Sequence, residues 1–80
     1  MTRKEIEKKV VRILESELDM KHIKLDDTFG CLHLDSLDRD CVASRCESEF
    51  DIAERQAVWD GFWNESVKVS ELCDFVEKRM

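Results

Sequence analysis

Apolar side chains recur at helical spacing through the N-terminal part of the chain, with charged side chains between them. The apolar stripe consists of Ile6, Val10, Ile13, Leu14 and Leu18. Side chains three and four positions apart lie on one face of a helix, so this stripe predicts an amphipathic helix from about Arg3 to Leu18. Thr2 and Glu5 have the spacing of a capping box at its start.

The periodicity is lost between Asp19 and Asp35, where isolated apolar residues are mixed with turn-forming residues. Long irregular connections are uncommon unless they are functional or pack their own side chains. We therefore expect this segment to lie over the core. Its apolar residues are Met20, Ile23, Leu25, Phe29, Leu32 and Leu34.

A second helix is predicted from Ser36 to Phe50, with Asp35 as its N-cap. The side chains expected to face the core are Val42, Ala43, Cys46 and Phe50. Those that fall together on another side, and are expected to face solvent, are Ser36, Asp40, Ser44 and Glu47. Leu37 falls outside the core stripe, so we expect it to be partly exposed or to cover the preceding loop.

The C-terminal part contains an aromatic segment and a last helical stripe. Trp59, Phe62 and Trp63 have helical spacing and predict a short third helix, although Gly61 weakens that prediction. Packing in the core or at its rim is the expected role of these aromatic side chains, and the alternative is that they shape a small cavity. The final helix is predicted to begin near Val69 or Ser70. Its stripe consists of Val69, Leu72, Cys73, Val76 and Met80.

These patterns predict an all-α fold, a small antiparallel bundle of three main helices plus one short helix. At 80 residues, the chain is expected to form a single domain over residues 1–80. A chain of this length buries only a thin core, which disfavours a deep enclosed substrate cavity.

The net charge of the chain limits the classes of molecule that are expected as partners. The formal net charge is −6 and the sequence pI is about 4.8. Nucleic acids and anionic membrane surfaces attract basic patches, so we expect neither as a partner. An acidic protein is instead suited to docking on basic patches of partner proteins.

The sequence lacks the patterns of a signal peptide and of a membrane span, and this bears on the expected location of the protein and on the state of its cysteines. The N-terminal residues lack an apolar signal core and no apolar run is long enough for a membrane span, so we expect a cytoplasmic protein. The cysteines Cys31, Cys41, Cys46 and Cys73 are then expected to be reduced, small apolar side chains. Their spacing with His33 matches no common zinc pattern, so no metal site is expected.

Ser36 has the most specific chemistry in the sequence. A serine in the first turn of a helix lies where free backbone N–H groups and the helix dipole favour an anion, so a phosphate ester would be stabilised there. A plain helix-start serine is the alternative reading of this residue alone. A hydrolase is disfavoured, because the chain has no Gly-x-Ser-x-Gly motif and no predicted sheet to hold one.

The segment resembles the phosphopantetheine attachment site of acyl carrier proteins. The resemblance is carried by "DSLD" at Asp35–Asp38 and by "ESEFDI" at Glu47–Ile52. "TF" at Thr28–Phe29 and "VSELCDFV" at Val69–Val76 extend it over nearly the whole chain. "DSL" alone is a weak motif, but the two blocks in helical register within a chain of this length are specific.

The resemblance implies a carrier that is not itself an enzyme. Ser36 would receive 4′-phosphopantetheine from coenzyme A through a phosphopantetheinyl transferase, and the thiol of this arm would carry acyl or aminoacyl groups as thioesters. Cargo of this kind includes fatty acyl, hydroxy acyl and polyketide groups. We expect a monomer that docks on the basic patches of loading and acyl-processing enzymes. The implied contact residues are Asp35, Leu37, Asp38, Asp40 and Glu47.

Departures from the family pattern indicate a specialised rather than a housekeeping carrier. Asp40 and Ser44 are polar where fatty-acid carriers usually present apolar residues, and Arg39 and Arg45 add positive charge to the second helix. The segment between Ile52 and Val69 is also longer than usual. The remaining alternative is an interaction module that shares the carrier fold and binds a partner enzyme without modification.

Overall fold

The computed structural model describes all residues from Met1 to Met80 and contains five helices and no strand. The helices are α1 (Arg3–Leu18), α2 (Phe29–Leu32), α3 (Ser36–Phe50), α4 (Gln56–Phe62) and α5 (Val69–Glu77). The all-α prediction is therefore confirmed. The sequence pattern does not predict α2, which lies in the connection between the first two long helices, so the prediction of four helices is corrected to five.

The three longer helices form where the apolar stripes predict them. The α1 helix packs against both α3 and α5. The predicted core faces of α1 and α3 are buried, except that Leu18 is only half-buried at the end of α1. One assignment is wrong, because Met80 lies beyond the end of α5 and is 52% exposed.

Capping interactions fix where the helices begin. Thr2 and Glu5 form the predicted capping box at α1, and Asp35 and Asp38 form another at α3. Thr28 starts α2, because its hydroxyl oxygen accepts a hydrogen bond from the backbone N–H of Cys31 at 3.2 Å. Each cap satisfies N–H groups that have no partner inside the helix.

The two connections before α2 and before α5 are joined through their backbones. Phe29 donates its N–H to Val67 O at 2.9 Å, and Val69 donates to Asp27 O at 2.9 Å. Gly30 donates to Glu65 O at 3.0 Å. A β-carbon at Gly30 would lie 3.1 Å from that oxygen, so only glycine allows this close approach without a shift. The irregular segment is thereby held over the core, as expected.

The core is one continuous cluster of apolar side chains. All the buried residues belong to it, and none is polar or charged. Ile23, Phe29, Leu32 and Leu34 from the irregular connection are among them. The radius of gyration is 11.3 Å, which agrees with the value of about 12 Å for a folded domain of this length.

Candidate functional site

The start of α3 is fixed by two neighbouring carboxylates. Asp35 Oδ1 accepts a hydrogen bond from the backbone N–H of Asp38 at 2.8 Å. Asp38 Oδ2 accepts one from the backbone N–H of Asp35 at 3.4 Å. This reciprocal pair places Ser36 as the first residue of the helix, where the positive end of the helix dipole lies.

The chain before Ser36 turns so that the serine projects from the bundle. His33 ends α2 with φ of 55°, in the left-handed region that histidine tolerates better than most residues. Leu32 and Leu34 on either side of it are buried, whereas His33 is exposed. Burial of these two leucines holds the loop against the core, and Ser36, two residues further on, is exposed at the surface.

Three of the predicted contact residues, Asp35, Leu37 and Asp40, are exposed near Ser36. Leu37 is 71% exposed, the most of any large apolar side chain in the protein. Asp35 and Asp40 are exposed beside it, while Asp38 is half-buried. An exposed leucine among carboxylates is a suitable contact for a partner with an apolar pocket and a basic rim.

The helical pattern predicts that Glu47 faces solvent, but the structure places it only partly in solvent. It is half-buried, and its Oε2 atom accepts a hydrogen bond from the backbone N–H of Glu54 at 2.9 Å. The same oxygen accepts one from the indole N–H of Trp59 at 3.3 Å. Periodicity along α3 cannot reveal these partners, because both lie on the segment that follows the helix. Through these two hydrogen bonds, Glu47 links α3 to helix α4 and to the segment just before it.

A cleft of about 440 Å³ opens beside Ser36. It lies between the first turns of α3 and helix α4. Its lining residues are Ser36, Arg39, Asp40, Gln56, Asp60 and Trp63. Sequence reasoning does not identify Gln56 or Asp60 as site residues. Their spacing of four places them on one face of α4, but only the tertiary structure brings that face to Ser36.

An amide bridges the two carboxylates of this cleft. Gln56 Nε2 donates to Asp60 Oδ1 at 2.9 Å and to Asp40 Oδ1 at 3.4 Å. With the guanidinium of Arg39, the lining carries two negative charges and one positive charge. The cleft is therefore polar and rich in hydrogen-bond acceptors.

Two side chains that line the cleft contain buried donors without a partner. Neither the indole Nε1 of Trp63 nor the Nε of Arg39 makes a hydrogen bond. Trp63 itself is only 9% exposed. Leaving a buried donor unsatisfied costs about 1–3 kcal/mol, so most buried polar groups have a partner. The cleft thus has carboxylate acceptors, and two of its lining side chains contain enclosed donor atoms that have no partner.

A second groove of about 480 Å³ lies along the outer face of α1. It is slightly larger than the cleft, but its lining is mostly charged side chains of one helix and includes none of the predicted site residues. We assign the candidate site to the cleft beside Ser36, because this exposed serine and the start of α3 lie there.

The aromatic side chains of α4 pack against one another and against α5. The ring centroids of Trp59 and Phe75 are 4.5 Å apart, and those of Phe62 and Phe75 are 4.4 Å apart. Trp63 stacks on Trp59 at 5.7 Å and meets Phe29 at 5.0 Å. These contacts confirm the packing interpretation for Trp59 and Trp63, which are buried, and place half-buried Phe62 at the rim.

Two of the four cysteines are sealed in the core. Burial raises the pKa of the Cys46 thiol to about 12 and that of Cys73 to about 11. Both thiols are therefore protonated at neutral pH, and both are 0% exposed. Cys31 is exposed and Cys41 is half-buried. No group of three or more His, Cys, Asp or Glu side chains is arranged to hold a metal ion.

The four cysteines differ in burial, and the pKa of the two buried thiols is raised. Because the thiolate is the reactive form, these differences predict a clear order of cysteine reactivity. In native protein treated with iodoacetamide, we expect Cys31 to react first and Cys41 more slowly. Cys46 and Cys73 should react only after urea is added, and Cys46 should form about a thousandfold less thiolate than an ordinary thiol. Peptide mass spectrometry at timed intervals measures each site. Rapid native alkylation of Cys46 would contradict the packing of α3.

No helix of the chain has both the length and the apolar composition needed to cross a bilayer. Comparisons with protein-family profiles, with curated proteins and with solved structures find no match to this chain. The resemblance to acyl carrier proteins therefore depends on the sequence motifs and on the geometry around Ser36.

Proposed function

We propose that this protein is a specialised acyl carrier protein whose Ser36 holds a 4′-phosphopantetheine arm. The observation that carries the proposal is the exposed serine at the first residue of α3, directly after an aspartate N-cap. Esterification of this hydroxyl would place a phosphate at the positive end of the helix, which is the favoured end for an anion. The arm would carry acyl or aminoacyl groups as thioesters, and the protein would not act as an enzyme itself.

The fold and the surface around Ser36 support the same proposal. We infer that the helices form the antiparallel bundle of the carrier family, with α1, α3 and α5 as its main helices. Leu37 would enter an apolar pocket of the transferase and of acyl-processing enzymes. Asp35, Asp38 and Asp40 would meet their basic rims, which matches the net charge of −6. Glu47 stays in the predicted contact set, although one of its oxygens is engaged within the chain.

Transfer of the arm from coenzyme A tests the proposal directly. After incubation with coenzyme A, magnesium and a broad-specificity phosphopantetheinyl transferase, the intact mass should rise by one phosphopantetheine. Ser36→Ala should abolish the mass increase completely, because no other hydroxyl can replace the acceptor at the helix start. Mass spectrometry of the whole protein resolves the two forms.

Ser44→Ala is the matched control, since Ser44 is an exposed serine on the same helix. It should be modified as the wild-type protein is. A wild-type chain that stays unmodified with several transferases would refute the carrier proposal and favour an unmodified interaction module. Modification of Ser36→Ala would assign the arm to another residue.

A further inference from the structure

We infer that the groove along the outer face of α1 is a docking surface for an acidic segment of a partner protein. The segment would present a large apolar side chain between carboxylates. This groove, the α1 groove, is lined by side chains of α1 and by Leu25. Docking there involves none of the residues proposed for the carrier function, so the protein would have two separate docking surfaces.

The first turns of α1 have the opposite charge to the rest of the protein. Residues 1–12 contain five basic and two acidic side chains, although the net charge of the whole chain is −6. Lys4, Lys8 and Arg12 follow one another at intervals of four residues, so they form one row along the helix, the basic row. The row extends over about 12 Å, because each helical residue adds about 1.5 Å. All three side chains are exposed and line the α1 groove.

The cations of the basic row are unpaired, whereas the carboxylates of the same helix face are engaged. None of the salt bridges of the protein involves a side chain of the row. Glu5 is held in the capping box at the helix start, and Glu7 pairs with Arg3 at 3.0 Å. Glu15 accepts a hydrogen bond from the backbone N–H of Ile23 at 3.2 Å. The row is therefore available to carboxylates of another molecule.

The deeper part of the α1 groove is apolar. Val11 of α1 and Leu25 of the following connection are half-buried and pack against the core. Both line the groove between the exposed cations. An apolar side chain of the partner would cover the surface that these two residues leave in contact with water, which is favourable. The groove volume of about 480 Å³ falls in the usual range of small-ligand sites, about 300–1,000 Å³.

A segment of another protein fits this surface better than the other acidic or anionic occupants. An extended membrane or nucleic acid would also meet the negative charge that covers the remaining surface of the chain, and would be repelled by it. A second copy carries a matching segment, since Leu37 is exposed between Asp35 and Asp40. Two copies, however, each have a net charge of −6 and repel one another.

A pair of acidic peptides tests the α1 groove directly. The probe is an acetylated and amidated peptide in which one leucine stands at the centre of four glutamates, and the comparison peptide has glycine in place of the leucine. Each is titrated into ¹⁵N-labelled protein in about 0.1 M salt, where charges more than about 10 Å apart are largely screened. We expect the backbone resonances of Lys8, Val11 and Leu25 to shift. The leucine peptide should bind about tenfold more tightly than the glycine peptide.

Charge reversal gives a matched pair of variants. Lys8→Glu combined with Arg12→Glu should weaken binding of the leucine peptide by about tenfold or more, because each change replaces an attraction by a repulsion. Lys68→Glu combined with Lys78→Glu alters the net charge equally at exposed lysines outside the groove, and should bind within about twofold of the wild-type protein. Circular dichroism verifies that both variants are folded.

Each result decides the inference. Equal losses in the two double variants would mean that net charge controls binding, and would overturn it. Equal affinity for the two peptides, or shifts centred on α3, would overturn it as well. Tighter binding to phosphatidylserine vesicles than to the peptide, lost in the α1 variant, would assign the groove to a membrane surface. Sedimentation that shows self-association, lost in Leu37→Ala, would assign it to a second copy. Arm attachment at Ser36 is measured separately, so any of these failures leaves the carrier proposal standing.

Discussion

Trp59→Ala should lower the free energy of unfolding by about 3–5 kcal/mol, the usual cost of replacing a buried large aromatic side chain by alanine. Trp59 is 1% exposed and lies at the centre of the aromatic cluster. Its ring contacts Phe62, Trp63 and Phe75 at centroid distances of 6.4, 5.7 and 4.5 Å. Small domains have total stabilities of about 5–15 kcal/mol, so this loss is a large share of the whole. Urea unfolding followed by circular dichroism measures it.

Trp59→Phe separates the two contributions of the indole. It keeps an aromatic ring in the cluster but removes the N–H that donates to Glu47. We expect a smaller loss, about 1–2 kcal/mol, because one hydrogen bond and part of the ring volume are removed. If alanine and phenylalanine cost the same, the hydrogen bond rather than the packing would be the dominant contribution. A loss below about 1 kcal/mol for alanine would contradict the burial of this side chain.

The long helices could be predicted from the sequence because their apolar faces are repeated many times. In α1, the stripe from Ile6 to Leu14 is buried, and the predicted capping box with Glu5 is present. The start of α3 at Ser36 follows from Asp35, whose side chain is a strong N-cap. Local side-chain chemistry thus determines both the helix and the position of the serine.

Features that depend on tertiary contacts could not be predicted in this way. The helix α2 has only four residues, too few for a periodic pattern, and its backbone is held by the segment before α5. Glu47 has a helical position that predicts solvent exposure, but Trp59 and the backbone of Glu54 approach it from another segment. Hydrogen bonds between distant segments leave no regular pattern in a single sequence.

The candidate site contains both kinds of feature, those set by the local sequence and those set by tertiary contacts. Ser36 and Leu37 could be identified from their position at the helix start. The cleft could not, because Gln56 and Asp60 come from α4, and their partner Asp40 lies on α3. The unpaired indole N–H of Trp63 is visible only when all its neighbours are known. The position of Ser36 is thus a local feature, while the cleft beside it is a tertiary one.

Under the proposed carrier function, Leu37→Ala should lower the kcat/KM for arm transfer to Ser36 by about tenfold to a hundredfold. Burying a leucine side chain in a partner contributes about 1.5–3 kcal/mol, and each 1.4 kcal/mol corresponds to a factor of ten. Leu37 is 71% exposed in the free protein, so most of its surface is available for such burial. Transferase kinetics at low carrier concentration, followed by intact mass, measure the ratio.

The stability of the free protein should not change in the same variant. An exposed leucine contributes little to the folded state and alanine is a good helix former, so the free energy of unfolding should stay within about 0.5 kcal/mol. Met80→Ala is the matched control, since Met80 is also an exposed apolar residue, at 52%, but lies beyond the end of α5. It should leave arm transfer unchanged. Equal losses in both variants would mean that general surface hydrophobicity, and not a docking contact at the start of α3, controls recognition by the transferase.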